Sequence, residues 1–225
     1  MAEDLLTDDE QLENVKHWFS ENGTWLAGGV VLGAALLFGW RYYDSYKSQQ
    51  ALTAASKFNA LNTALEKNDR ASAKNIAADL KKDYSNSPYA DQADLMMARL
   101  AVDAGELANA VDPLTRVMNN SHDSELKNIA RLRLARVLID QGKPDEAVNT
   151  LSAAQSGAFG ARFHEVRGDA LLAKKDTAGA IREYQAALAD SDGRGFERGL
   201  VELKITDLGA TPDPVVKPAT AKAAP

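Results

Sequence analysis

The feature that most constrains this chain is a run without charge. Between Glu21 and Arg41 there is no Asp, Glu, Lys or Arg, which leaves 19 uncharged residues, 22–40. As a helix, a run of that length reaches roughly 28 Å, close to the hydrocarbon thickness of a bilayer. Trp25 stands near one end and Trp40, Tyr42 and Tyr43 stand at the other, where amphipathic rings seat at membrane interfaces. Leu26, Val30, Val31, Leu32, Leu36, Leu37 and Phe38 each favour insertion by roughly 0.3–0.6 kcal/mol. The chain therefore reads as one transmembrane helix over 24–43, between a short acidic segment, 1–23, and a long polar one. A cleaved signal peptide needs a basic start and a small-residue cleavage site. Here the start is acidic, and bulky aromatics follow the apolar run. Gly29-xxx-Gly33 and Ala35-xxx-Gly39 are small-xxx-small pairs, and they mark a candidate contact for a second membrane helix.

The 225 residues leave room beyond the anchor for one sizeable folded domain. The net charge of −6 excludes the usual electrostatics of nucleic-acid binding. The absence of cysteine removes disulfides, thiolate metal sites and a lipidated-Cys anchor. Before the anchor, Asp8 or Asp9 is the expected N-cap of a short helix. Its face is Leu12, Val15 and Phe19 with Trp18 beside them, and Asn22-Gly23 is expected to break it. Near the span, Lys16 and the amino terminus face Arg41 and Lys47. On the positive-inside rule that count slightly favours a cytoplasmic C-terminal domain.

Residues 45–67 and 71–84 read as two further helices, joined by a turn at Asn68-Asp69 and followed by a restart at Ser87-Pro88. An internal repeat then sets in. Ala98, Gly105 and Ala110 recur as Ala135, Gly142 and Ala147, each 37 residues later. Ala135, Ala147 and Ala154 recur as Gly168, Ala180 and Ala187, each 33 residues later. This is the tetratricopeptide pattern of antiparallel helix pairs near a 34-residue period. The small residues sit where the paired helices pack closest, and a larger one follows in the second helix (Leu114, Leu151, Tyr184). Helices 45–67 and 71–84 are expected to form a fourth, degenerate unit. Residues 192–208, with Phe196, Leu200, Leu203 and Leu208 as the covering face and Glu197, Glu202 and Lys204 as the wet one, are expected to cap the array. The tail from 209 to 225 holds four of the seven prolines and no aromatic residue, a composition that does not order itself. The fold class is all-α: a transmembrane helix, then a helical-hairpin solenoid over 44–208 with a C-terminal capping helix.

No phosphate loop, metalloprotease motif or nucleophile elbow occurs, and no metal, cofactor or catalytic residues are expected. Glu165 and Asp169, four apart beside Arg162 and Arg167, read as a surface ion-pair set. What remains is a binding surface. The position after the small residue of the first helix in each pair is Arg99, Arg136 and Asp169. Four residues earlier stand Leu95, Leu132 and Glu165. These six form the candidate partner-binding groove, with the arginines suited to carboxylates of an extended or helical segment.

The segments WFSENGTWLAGGVVLGAALLFGWRYYDSY, LKNIARLRLARVLIDQGKPDEAVNTL and VRGDALLAKKDTAGAIREY resemble the YfgM family of Gram-negative inner-membrane proteins. The resemblance runs from about residue 15 to 208. It implies an ancillary, non-enzymatic subunit of the SecYEG translocon, associated with the periplasmic chaperone PpiD and coupling emerging, still unfolded secreted clients to periplasmic chaperones. It also implies a cytoplasmic N-terminus and a periplasmic repeat domain, the reverse of the charge count. The expected partners are thus SecYEG, PpiD, unfolded clients and membrane lipid, with no nucleic acid. The alternative is a membrane-anchored regulatory adaptor that binds a stress-signalling protein through its N-terminal segment.

Overall fold

In the computed structural model, the described residues are 8–152, 159–190 and 196–213. All regular structure among them is α-helical. The helices are α1 (Asp8–Glu66), α2 (Arg70–Asp83), α3 (Pro88–Asp103), α4 (Leu107–Asn120), α5 (Ser124–Asp140), α6 (Pro144–Ser152), α7 (Gly160–Ala173), α8 (Thr177–Asp190) and α9 (Arg198–Asp207). The chain divides into two compact units, residues 1–53 and 54–225. The side chains of Asp8, Asp9 and Val15, and tail residues 214–225, lie outside the described residues.

In the first unit, α1 carries the uncharged run. It is long and apolar enough to cross a membrane, and none of its apolar window is buried by protein. Trp25 is 84% exposed, and Val30, Leu37 and Trp40 are similarly bare. The expected break at Asn22-Gly23 does not occur, since the helix runs through both. One glycine costs a helix about 1 kcal/mol, too little to end a long one, in which each further residue adds a hydrogen bond without a new nucleus. The Asn22 side chain, which elsewhere competes with the backbone, donates to the Trp18 carbonyl at 3.0 Å within the helix.

The second unit is an array of hairpins, each closed by the same turn. In all four, a residue with positive φ follows the first helix: Asn68 (57°), Gly105 (74°), Gly142 (74°) and Lys175 (65°). The next amide reaches back to a carbonyl five residues earlier, as Asp69 to Ala64, Glu106 to Ala101, Lys143 to Leu138 and Asp176 to Leu171, at 2.8–2.9 Å. This is the Schellman closure, which satisfies the orphan carbonyls of a helix end. Its fourth copy at Asn68 places the end of α1 with α2 as a true member of the series. The second helix then starts on a side-chain cap in two of the hairpins: Asp69 accepts from the Ser72 amide and Asp176 from that of Gly179.

What varies is which partner is large. Ala98 faces the Leu114 position, Ala135 that of Leu151, and Gly168 that of Tyr184; each pair is buried. In the first hairpin the sizes are exchanged. Leu61 stands where the small residue belongs and Ala77 where the large one does, both in one buried cluster. Exchanging sizes conserves the volume of the contact, which is why the degenerate unit still packs. At the other extreme the Tyr184 ring lies against Gly168, so a Cβ added there would overlap it.

The array closes on α9, by a different face from the one expected. Val201 and Ile205 are fully buried, with Phe196 and Leu208 packed alongside. Leu200 and Leu203 are 45% and 56% exposed. Residues 201, 205 and 208 follow the helical i, i+4, i+7 spacing, and that rotation turns 200 and 203 outward. Replacing Gly168 with Ala is expected to destabilise the fold by about 1–3 kcal/mol through overpacking. Gly199→Ala, where a Cβ meets open space, is expected to be neutral or stabilising. Thermal unfolding followed by circular dichroism compares the two.

Candidate functional site

The first helices of the hairpins place one residue each along a common inner face, and the small residue sets the rotation. At about 100° per residue, a position four before Arg99 lies about 40° back toward Ala98, whereas a position three before lies about 60° beyond Arg99. Leu95 and Leu132 therefore turn into the hairpin core, where they are buried among Ala98, Leu114 and Ala135. Leu132 belongs to that core and not to a groove. Leu95 is buried as well but forms the edge of a cavity. The residues three before, Met96 and Arg133, line the inner face, and neither is singled out by counting back four.

The cavity has a volume of about 480 Å³. Phe58 and Leu65 of α1, Leu95, Met96 and Leu100 of α3 supply an apolar floor, and Arg99, Asp103 and Arg133 a charged rim. Arg99 pairs with Asp103 at 3.6 Å, both largely exposed, an i,i+4 contact of small energetic weight. Arg136 is exposed on the same helix as Arg133. Burial first, and then the charges of Arg99 and Arg136, push the Arg133 guanidinium below the usual arginine range. Arg99 and Arg133 thus line one cavity with Asp103 as the carboxylate at its rim, and Arg136 follows one turn along α5.

The acidic positions of the candidate groove are differently placed. Lys204 of α9 donates to Glu165 at 3.1 Å and to Asp169 at 2.7 Å. The Tyr184 hydroxyl also donates to Asp169, at 2.7 Å. Lys204 Nζ lies 5.5 Å from the Tyr184 ring centroid. Glu165 and Asp169 are therefore fixed by the capping helix, and Lys204 is part of its seat, not its wet side. Nor do they pair with Arg167, which donates to Glu183 at 3.4 Å and to the Leu151 carbonyl at 3.3 Å. His164 Nδ1 lies 2.8 Å from the same Glu183 oxygen. The six expected positions thus separate into Arg99 and Arg136 on the open face with Leu95 beneath, Leu132 in the core, and Glu165 with Asp169 under α9.

A second cavity, of about 400 Å³, lies among α2, α3 and α4. It is bordered by Arg70, Lys74 and Lys81 and by the bidentate pair of Arg116 with buried Asp94, at 2.6 and 2.8 Å. That pair ties α3 to α4 and has no periodic sequence signature. On α1, a Cβ added to Gly29, Gly33 or Gly39 meets nothing, and Ala35 is exposed. Ala35 is rotated by about 120° from Gly29, so the two small-residue pairs lie on different faces. No group of three or more metal-ligating side chains occurs among the described residues.

Residues 16–210 match the family model of a tetratricopeptide repeat-like domain. The chain is 33% identical over 204 residues to a protein of Escherichia coli K12 named "Ancillary SecYEG translocon subunit", covering 89% of this chain and 96% of the relative. Proteins of the same name in Haemophilus influenzae and Neisseria gonorrhoeae are 27% and 28% identical, covering 90% of this chain and 98% of each relative. No solved structure gives a significant match.

Burial first, then the bond to Asp169, raise the Tyr184 phenol well above its ordinary value of 10.0. A phenol raised by folding adds stability that is fully present below its unfolded pKa and is lost as pH rises through and beyond it. Above about pH 10 the wild-type melting temperature is therefore expected to fall more steeply than that of Tyr184→Phe. At neutral pH that variant starts lower by about 1 kcal/mol for the missing hydrogen bond. Melting curves at stepped alkaline pH measure both effects.

Proposed function

The chain belongs to the YfgM family of tetratricopeptide repeat-like proteins, and on that premise we propose that it is a single-pass inner-membrane protein acting as a non-enzymatic, ancillary subunit of the SecYEG translocon. In this reading residues 1–23 are cytoplasmic, 24–43 span the lipid, and the hairpin array over 44–208 works in the periplasm. There it brings emerging, unfolded secreted proteins to periplasmic chaperones, PpiD among them. The observation that carries the reading is that the match runs unbroken from residue 16 to 210. It thus takes in the apolar span and all four hairpins together, where a repeat match alone would fit many unrelated scaffolds.

The chemistry of the two units supports the division of labour. The apolar face of α1 has no protein cover, and lipid removes the cost of that exposure. The hairpin array offers recesses lined by apolar and basic side chains, which suits binding better than bond-making. The glycine faces at Gly29/Gly33 and at Ala35/Gly39 are the proposed contacts for translocon helices. Orientation rests on the family, because a difference of one flanking cation is too small to impose a topology.

Two measurements test this. Purification of the full chain from membranes in mild detergent, after crosslinking, is expected to bring SecYEG and PpiD with it; a clean absence of both overturns the assignment. Protease added to spheroplasts is expected to degrade the part that carries residues 44–208 and to spare 1–23. Protection of the larger part reverses the topology.

A further inference from the structure

We infer that the cavity between α1, α3 and α5 selects acidic segments of a protein partner: an extended stretch that places an aliphatic side chain on the Phe58–Met96 floor and its carboxylates against Arg99, Arg133 and Arg136. This deepens the proposed function by naming the chemistry of what the array holds. It differs from a surface that takes any unfolded chain.

The protein as a whole carries −6, yet Arg99 and Arg133 line one cavity, and Arg136 stands exposed one turn beyond Arg133 on α5. Asp103 at 3.6 Å from Arg99 answers one of the three charges. Among the described residues, no carboxylate lies within ion-pair distance of Arg133 or Arg136. Like charges gathered at an exposed rim repel one another in the unliganded protein, and an anionic ligand relieves that repulsion. Guanidinium groups also present a fork that grips carboxylates in pairs, which lysines do not.

The acidic alternative on the same row of helices is already occupied. Glu165 and Asp169 are satisfied by Lys204 and Tyr184, so the charge left to recruit a ligand is positive alone. The apolar floor adds the second requirement. A cavity of about 480 Å³ is within the size range of sites that enclose side chains or small ligands, about 300–1,000 Å³. Its Met96 supplies an adaptable thioether surface. A purely polar anion leaves that floor wet, so carboxylates and aliphatic groups must come on one segment.

The test uses the full chain in nanodiscs and a fluorescein-labelled octapeptide alternating Leu with Asp or Glu. Its controls are the same peptide with Asn and Gln for the acids, and with Lys. Fluorescence anisotropy is expected to show the acidic peptide bound at least tenfold more tightly than either control, with affinity falling as salt is raised. Arg133→Gln and the pair Arg99→Gln with Arg136→Gln are each expected to weaken the acidic peptide about tenfold or more. They should leave the circular dichroism melt and the neutral peptide unchanged. Arg182→Gln, at an exposed position of α8 outside the cavity lining, is expected to bind as wild type. Equal affinity for acidic and neutral peptides overturns the inference. So does binding that ignores the arginine substitutions, or no binding by any peptide. Co-purification with SecYEG separates this from the wider reading. Retained co-purification with failed peptide selectivity sinks the cavity assignment alone, and the reverse outcome sinks the translocon assignment alone.

Discussion

The hairpin array rests on one contact repeated four times, a small side chain on one helix opposite a large one on its partner. Antiparallel helices of this kind approach closely only where one of them gives up volume. At the last hairpin this point has no room to swell, since a Cβ on Gly168 overlaps the Tyr184 ring. The protein meets the requirement in three ways, as Ala against Leu in the central hairpins, Gly against Tyr in the last and Leu against Ala in the first. The invariant is therefore the summed volume across the pair, not the residue at either position. The left-handed residue and the back-reaching amide after each first helix then set where the second helix begins.

From that packing follows the placement of charge. In the second and third hairpins the residue after the small one, and the residue two before it, stand on the inner side, away from the partner helix. In the second and third hairpins these positions hold Arg99, Arg133 and Arg136. In the fourth, the residue after the small one is Asp169, Val166 takes the Arg133 position and is buried, and α9 arrives with Lys204 to neutralise Asp169 and its neighbour Glu165. The cap thus seals the acidic end of the row as well as the apolar end of the core, and the basic end is left to the cavity above Phe58 and Met96.

Much of this was legible in the residues. A charge gap of 19 residues announces a membrane-length helix without help from neighbours, and the spacing of Ala98, Gly105 and Ala110 with their later copies announces the hairpins. The degenerate first unit was harder, because its size pattern runs backwards; its turn at Asn68 was the surviving signal. The candidate groove was half legible. Arg99 and Arg136 follow from the repeat, but stepping back four residues selects core positions, and stepping back three finds Met96 and Arg133. The difference is a rotation of about 100°, which letter spacing does not display until the packing face is known. Lys204 lay beyond reach for another reason: its partners are 35 and 39 residues away, a distance over which no local periodicity speaks. Asn22-Gly23 misled because a breaker's local preference is outweighed inside a long helix.

The buried residues of the array fall into three discrete clusters, one centred on Leu61 and Leu80, one on Leu114, Leu151 and Val166, and one on Tyr184 and Ile205. The divisions do not fall between hairpins. The middle cluster reaches into α7, whose Gly168 lies against the Tyr184 ring of the third, so the last hairpin is joined to the one before it through its own first helix, and losing that glycine would loosen both at once.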